Sequence, residues 1–176
     1  MARSVRVLAA ASVIACACAA SATASEGAAG QLTAVDSLEA AVIAEVNVVR
    51  RARGLRSLRR SAGLAASAHR HTTSMVTTGF FGHERPGGPR FAQRLRSHYR
   101  PLGRGWSVAE NIAAMWPAPT ARETVRMWLA SPTHRRNLLS RSWREIGVAA
   151  IHASAAPGDF GNEQITVVTA DFGVRR

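Results

Sequence analysis

The chain is predicted to be one α+β domain, with helices leading and a strand pair closing the C-terminus. Three observations lead there. Its 176 residues are 47% hydrophobic and 19% charged, which supplies the core of a single domain and speaks against disorder along the whole length. Several segments start at capping residues and repeat apolar side chains at helical spacing. Near the end, "IGVAAIHA" and "QITVVTADFG" are rich in Val, Ile and Thr, and the Gly- and Pro-containing "SAAPGDFGNE" joins them.

The first residues stand apart. "MARSVR" is basic, "VLAAASVIACACAASATA" is apolar and Ala-rich, and "ATA" at 22–24 has the A-x-A form. Together they read as a secretory signal peptide, residues 1–24, cut after Ala24. Its small Ala residues suit a transmembrane anchor poorly, so none is expected. The alternative is a lipoprotein: "VIAC" resembles a lipobox, which would anchor the chain through Cys16. Cys16 and Cys18 are the only cysteines, so the folded domain has no disulfide and no thiolate site. Residues 25–35 are small and polar and read as a linker, leaving residues 36–176 as the domain.

"DSLEAAVIAEVNVVRRARG" opens with Asp36 and Glu39 in the capping-box relation, keeps Leu38, Val42, Val46 and Val49 on one stripe, and stops at Gly54. "SAGLAASAHRHTTSMVTTG" is a second helix with Ser61 as N-cap and Gly79 as stop; Leu64, Ala68, Met75 and Val76 form its buried side. "FFGHERPGGPR" is a loop with Phe80 and Phe81 buried. "RFAQRLRSHYR" is a short helix, and "PLGRGWSVAENIAAMWPAP" is mainly irregular. "TARETVRMWLAS" repeats the capping pattern with Thr120 and Glu123, and buries Val125, Trp128 and Leu129.

In "WLASPTHRRN", Ser131 before Pro132 marks a helix start, with Ser as cap and Pro at the first position. His134 then falls in the first turn, where the helix dipole favours a neutral imidazole. That permits a metal ligand, but position alone favours a structural residue, because caps and turns are far commoner than ligands. Ser131 and His134 do not make a hydrolase pair, because the hydroxyl is expected to cap and no G-x-S-x-G elbow exists. His69 and His71 point to nearly opposite sides of a helix. His98 reads as surface, and His152 as part of a strand. His83, Glu110 and His134 remain: two imidazoles and a carboxylate suffice for a zinc-like ion if they converge. Residue type alone favours an Arg partner for Glu110.

All 23 basic residues are Arg, and removal of Arg3 and Arg6 leaves 21 against 11 acids, a net charge of +10. They are scattered and not interleaved with aromatics, so no nucleic acid partner is expected. Anionic envelope polymers or lipid headgroups fit such a charge, and so does a plain solvated surface.

"GLRSL", "LAASAHRHTTSM", "GFFGH", "AENIA", "MWLASPTHRRNLL", "IGVA" and "TADFG" follow one another in an order that resembles the CAP superfamily (cysteine-rich secretory proteins, antigen 5 and pathogenesis-related-1), in its bacterial SCP-like branch. The likeness covers about residues 36–173. It implies an α-β-α sandwich with a central, mainly antiparallel sheet, and a cleft of two His and two Glu. Position by position, His83 and His134 match the family histidines and Glu110 the glutamate of "EN"; His83 and His134 are the implied metal ligands. Where many eukaryotic members have W-x-x-E, this chain reads Trp128-Leu-Ala-Ser131, and Glu123 is too early to substitute. A divalent metal such as zinc is therefore expected to bind weakly.

The implied protein is an exported, monomeric binding module of the envelope or medium, with no catalytic residue assigned. Its partner is a small apolar ligand or an anionic envelope component. A metal-dependent hydrolase using the same cleft is one alternative, and an Arg-rich adhesive domain another.

Overall fold

The computed structural model describes residues 30–175 except 104 and 117. The signal segment, the lipobox and residues 25–29 of the linker lie outside the described residues. The elements run β1 (Leu32–Ala34), α1 (Asp36–Arg51), β2 (Arg59–Arg60), α2 (Ala62–Thr78), α3 (Phe91–Arg96), β3 (Trp106–Met115), α4 (Ala121–Ala130), α5 (Pro132–Leu139), β4 (Glu145–Ala156) and β5 (Glu163–Arg175). A 3-10 turn, Gly158–Phe160, lies in the hairpin between β4 and β5. The sheet order is β1-β4-β5-β3, all antiparallel, with β2 lying parallel beside β4.

Strand alternation sorts the core into two layers. Ile146, Val148, Ala150, Val168, Ala170 and Phe172 pack with Val42 and Val46 of α1, Val125 and Trp128 of α4 and Leu138 of α5. The intervening positions Ile151, Ala153 and Val167 join Ile112 of β3 to Met75 and Val76 of α2. Helices therefore cover both faces of an antiparallel sheet. Among the described residues, no helix is long and apolar enough to cross a membrane.

Local chemistry accounts for most boundaries. Ser61 Oγ accepts from Leu64 N at 3.4 Å, and α2 ends at Gly79, whose φ of 71° is the left-handed stop that glycine permits. Thr120 and Glu123 form a complete capping box on α4.

Four expectations need correction. β3 occupies the stretch expected to be irregular: Glu110 and Asn111 break its apolar alternation, yet both are buried and hydrogen-bonded. β1 lies in the expected linker, where pairing with β4 and not apolar content holds it. Asp36 and Glu39 make no capping box; Val35 sits at the cap position, and Glu39 turns inward to accept from Ala150 N at 3.1 Å. Phe81 is 41% exposed rather than buried.

Two contacts position the site. β3 is an edge strand, but its outward carbonyls at Glu110 and Ile112 accept from Asn137 Nδ2 (3.1 Å) and Trp128 Nε1 (3.0 Å), which closes the edge with side chains of α5 and α4. On the other face α2 lies against β4 at Gly147, where an added Cβ would come within 2.0 Å of Ala65 N.

Candidate functional site

Glu110 points from β3 toward the α2 layer and is 5% exposed. Directly across the ladder on β5 stands Asp171, fully buried. α2 contributes Ser67 and His71 above them, and α3 contributes Arg94. His71 continues the Leu64, Ala68, Met75 stripe, so its ring is buried at 3% exposure while His69 is exposed.

Both oxygens of Glu110 are engaged. Oε1 lies 2.9 Å from His83 Nδ1 and 3.7 Å from His71 Nε2. Oε2 accepts from an Arg94 terminal nitrogen at 2.6 Å. The other Arg94 nitrogen donates to Ser67 Oγ at 3.3 Å and lies 4.0 Å from Asp171 Oδ2. Burial alone would raise the Glu110 pKa, but the His83 hydrogen bond and the Arg94 charge outweigh it and hold the carboxylate below its usual range. Asp171 goes the other way: burial, then the neighbouring Glu110 charge, raise it well above the usual value. One guanidinium thus lies between a carboxyl that ionises more readily than usual and one that ionises less readily.

His83 is placed by the loop after α2. His71 Nε2 bonds Gly82 O at 2.9 Å, and Phe81 N donates to Asp159 Oδ2 at 2.9 Å, which holds the residues just before His83. With Nδ1–H given to the Glu110 carboxylate, Nε2 is left as the acceptor nitrogen of a side chain that is 49% exposed.

His134 comes from the opposite layer and reaches the same edge of β3. Pro132 opens α5, which puts His134 third in the helix, and its carbonyl accepts from Asn111 Nδ2 at 3.1 Å. Partial burial, then proximity to His83, lower the His134 pKa and so disfavour the protonated ring. Ser131 holds the cap position, but its hydroxyl makes no capping hydrogen bond; that expectation is corrected. Its backbone is extended as at any N-cap, and the start of α5 rests instead on Pro132 at the first position and on Arg135 N donating to Ser131 O at 2.8 Å.

The structure brings His83 and Glu110 into contact and His134 within electrostatic reach of His83. Glu123 is exposed, stays in the capping box of α4 and takes no part. His98 is half-buried rather than on the surface, and His152 bonds Thr166 Oγ1 at 3.1 Å in β4. Sequence reasoning missed His71, Arg94 and Asp171. His71 was legible from its place on the apolar stripe, and Asp171 as an acid within the Val- and Thr-rich interior of a strand; nothing marked Arg94 among so many arginines. Among the described residues, no group of three or more His, Cys, Asp or Glu is arranged to hold a metal ion.

The family model described as "Cysteine-rich secretory protein family" (CAP) matches residues 43–172. The uncharacterized protein YkwD of Bacillus subtilis (strain 168) is 28% identical over 126 residues, 70% of this chain and 46% of that protein, so the chain spans about half of its relative's length. An extracellular protein containing a SCP domain from Bacillus anthracis str. Ames superposes with a TM-score of 0.62 at 23% identity, covering 80% of this chain and 41% of that one. An outer surface protein from Borrelia burgdorferi gives a TM-score of 0.67 at 20% identity, covering 84% of this chain and 99% of that one. At such identities these structures share the fold.

Proposed function

The chain belongs to the cysteine-rich secretory protein (CAP) family, and on that premise we propose an exported binding module whose His83–Glu110–His134 cleft takes a weakly held divalent ion such as zinc. The observation that carries this reading is the His83 Nδ1–Glu110 hydrogen bond at 2.9 Å. A carboxylate behind one ring nitrogen fixes the tautomer and raises the basicity of the other, the arrangement usual for metal-bound histidines. His83 and His134 would be the ligands. Glu110 would orient His83 from behind, since Arg94 already holds its second oxygen. Two protein ligands and no carboxylate in contact with the ion make a weak site, filled out by water. Export fits relatives described as extracellular or as an outer surface protein.

The engagement of Glu110 also favours binding over hydrolysis. A general base needs a free oxygen within reach of the proton it takes. Here His83 and Arg94 occupy both oxygens.

Calorimetric titration with zinc tests the reading on the wild type, His83→Ala and His134→Ala. Binding is expected in the wild type at about pH 7.5, weaker at about pH 5.5 because protons compete for the imidazoles, and lost in both variants. Equal heats from all three proteins would remove the metal from the cleft. Turnover that disappears on chelation would favour the hydrolase instead.

A further inference from the structure

A second feature lies away from the cleft. The last residue of α1, the turn after it and the loop between α5 and β4 carry exposed Arg51, Arg53, Arg56, Arg141 and Arg144, none of which forms an ion pair among the described residues. The fold holds these two segments together. Arg50 Nε donates to Arg56 O at 2.9 Å, and its Nη1 donates to Leu138 O at 2.7 Å and Ser140 O at 3.0 Å. Arg59 N donates to Arg144 O at 2.9 Å, which extends the junction along β2.

The positive charge here is poorly neutralised. Arg50 is 0% exposed and its Nη2 is buried without a hydrogen-bond partner. The carbonyl ends of α1 and α5 offset part of that charge. Neighbouring carboxylates are already engaged: Glu145 by Tyr99, Arg175 and Arg59, and Glu39 by Ala150 N and Arg60.

Three of the exposed guanidiniums are also pre-positioned. Arg51 Nη1 bonds Ser57 Oγ at 3.2 Å, Arg53 Nη1 bonds Val49 O at 3.1 Å, and Arg144 Nη1 bonds Arg141 O at 2.7 Å. Each is held through one nitrogen, which leaves other fork donors for a ligand at reduced entropic cost. Planar forks suit phosphate oxygens. In the same two segments Leu58 and Trp143 are buried and Leu55 is half-buried, so neither segment holds out a large exposed apolar side chain for insertion into a bilayer.

We propose that this face binds a linear, phosphate-bearing polyanion, such as an anionic polymer of the cell envelope, through the arginines of the α1 turn and the α5–β4 loop. It does not rest on the cleft reading.

Fluorescently labelled inorganic polyphosphate is the probe, titrated at about 50 mM and about 300 mM salt. The patch variant is Arg53→Gln/Arg56→Gln/Arg141→Gln. The control variant Arg70→Gln/Arg96→Gln/Arg122→Gln removes equal charge from α2, α3 and α4. Wild type and control should bind with strong salt dependence, and the patch variant about tenfold more weakly with a shallower slope, as expected when several phosphate contacts are lost. An unchanged unfolding midpoint checks that the patch variant folds. His83→Ala should bind like the wild type, which separates this surface from the cleft. Equal weakening of patch and control variants would reduce the effect to bulk charge and overturn the proposal. So would absent wild-type binding, or binding to phosphatidylglycerol vesicles without binding to polyphosphate.

Discussion

His71 shows how one side chain can belong to core and site together. Its ring packs 5.8 Å from Phe80, bonds Gly82 O and faces Glu110. Burial is the main cause of its lowered pKa, with Arg94 and His83 adding to it against the pull of Glu110. The folded protein therefore keeps His71 neutral at pH values where the unfolded chain binds a proton. The contribution of His71 to stability should therefore fall as pH drops from about 7.5 to about 5.5, through the ordinary histidine value of about 6.5. Asp171 acts in the opposite direction: its raised pKa means that the folded state keeps a proton the unfolded chain has released, so it costs stability as pH rises from the ordinary carboxyl range. Urea unfolding of wild type and His71→Gln at both pH values isolates the histidine, since their difference should shrink toward acid pH. A difference independent of pH would mean that His71 titrates alike in both states.

Among the elements, those with their own punctuation were legible. Ser61 and Gly79 bracket α2, Thr120 and Glu123 start α4, and Pro132 starts α5, each through chemistry local in sequence. The Val- and Ile-rich β4 and β5 were legible for the same reason. β3 was not. Its middle residues Glu110 and Asn111 are polar because partners on other elements satisfy them, and a single strand carries no trace of those partners. The resemblance named His83, Glu110 and His134 together, whereas the Arg94–Asp171 contact beside Glu110 exists only through tertiary structure. Gly147 marks another tertiary contact. It lies opposite Asp171 in the β4–β5 ladder, under Leu64 and Ala65 of α2. Gly147→Ala must push α2 off the sheet, because backbone and not a flexible side chain occupies the space. The expected cost is about 1–3 kcal/mol, the usual range for overpacking. A urea midpoint equal to that of the wild type would show that α2 can shift freely.

The molecule as a whole sets the proposed site astride the edge of the sheet. His83 and Glu110 belong to the α2 side, whereas His134 rides on α5 from the other layer. Something must fix the two layers relative to each other, and the Asn111–Asn137 pair does so. Asn137 Nδ2 donates to Glu110 O (3.1 Å) and to Asn111 Oδ1 (2.9 Å), and Asn111 Nδ2 donates to His134 O at 3.1 Å. Asn111 is fully buried, so its amide groups have no water to fall back on. Asn111→Ala would leave the His134 carbonyl without this donor and take one acceptor from Asn137. The expected destabilisation is about 1–3 kcal/mol, the penalty for buried polar groups left unpaired. A second effect distinguishes registration from simple packing. Asn111 offers no group to an ion in the cleft, yet its loss frees α5 to shift on β3 and carries His134 away from His83. Zinc affinity in Asn111→Ala should therefore fall beyond what the lost stability explains, measured under conditions where the variant remains folded. Valine at position 111, which fills similar space without the amide, should show the same loss. If both variants keep wild-type zinc affinity, α5 is held in place by its apolar contacts alone, chiefly Leu138 against the sheet.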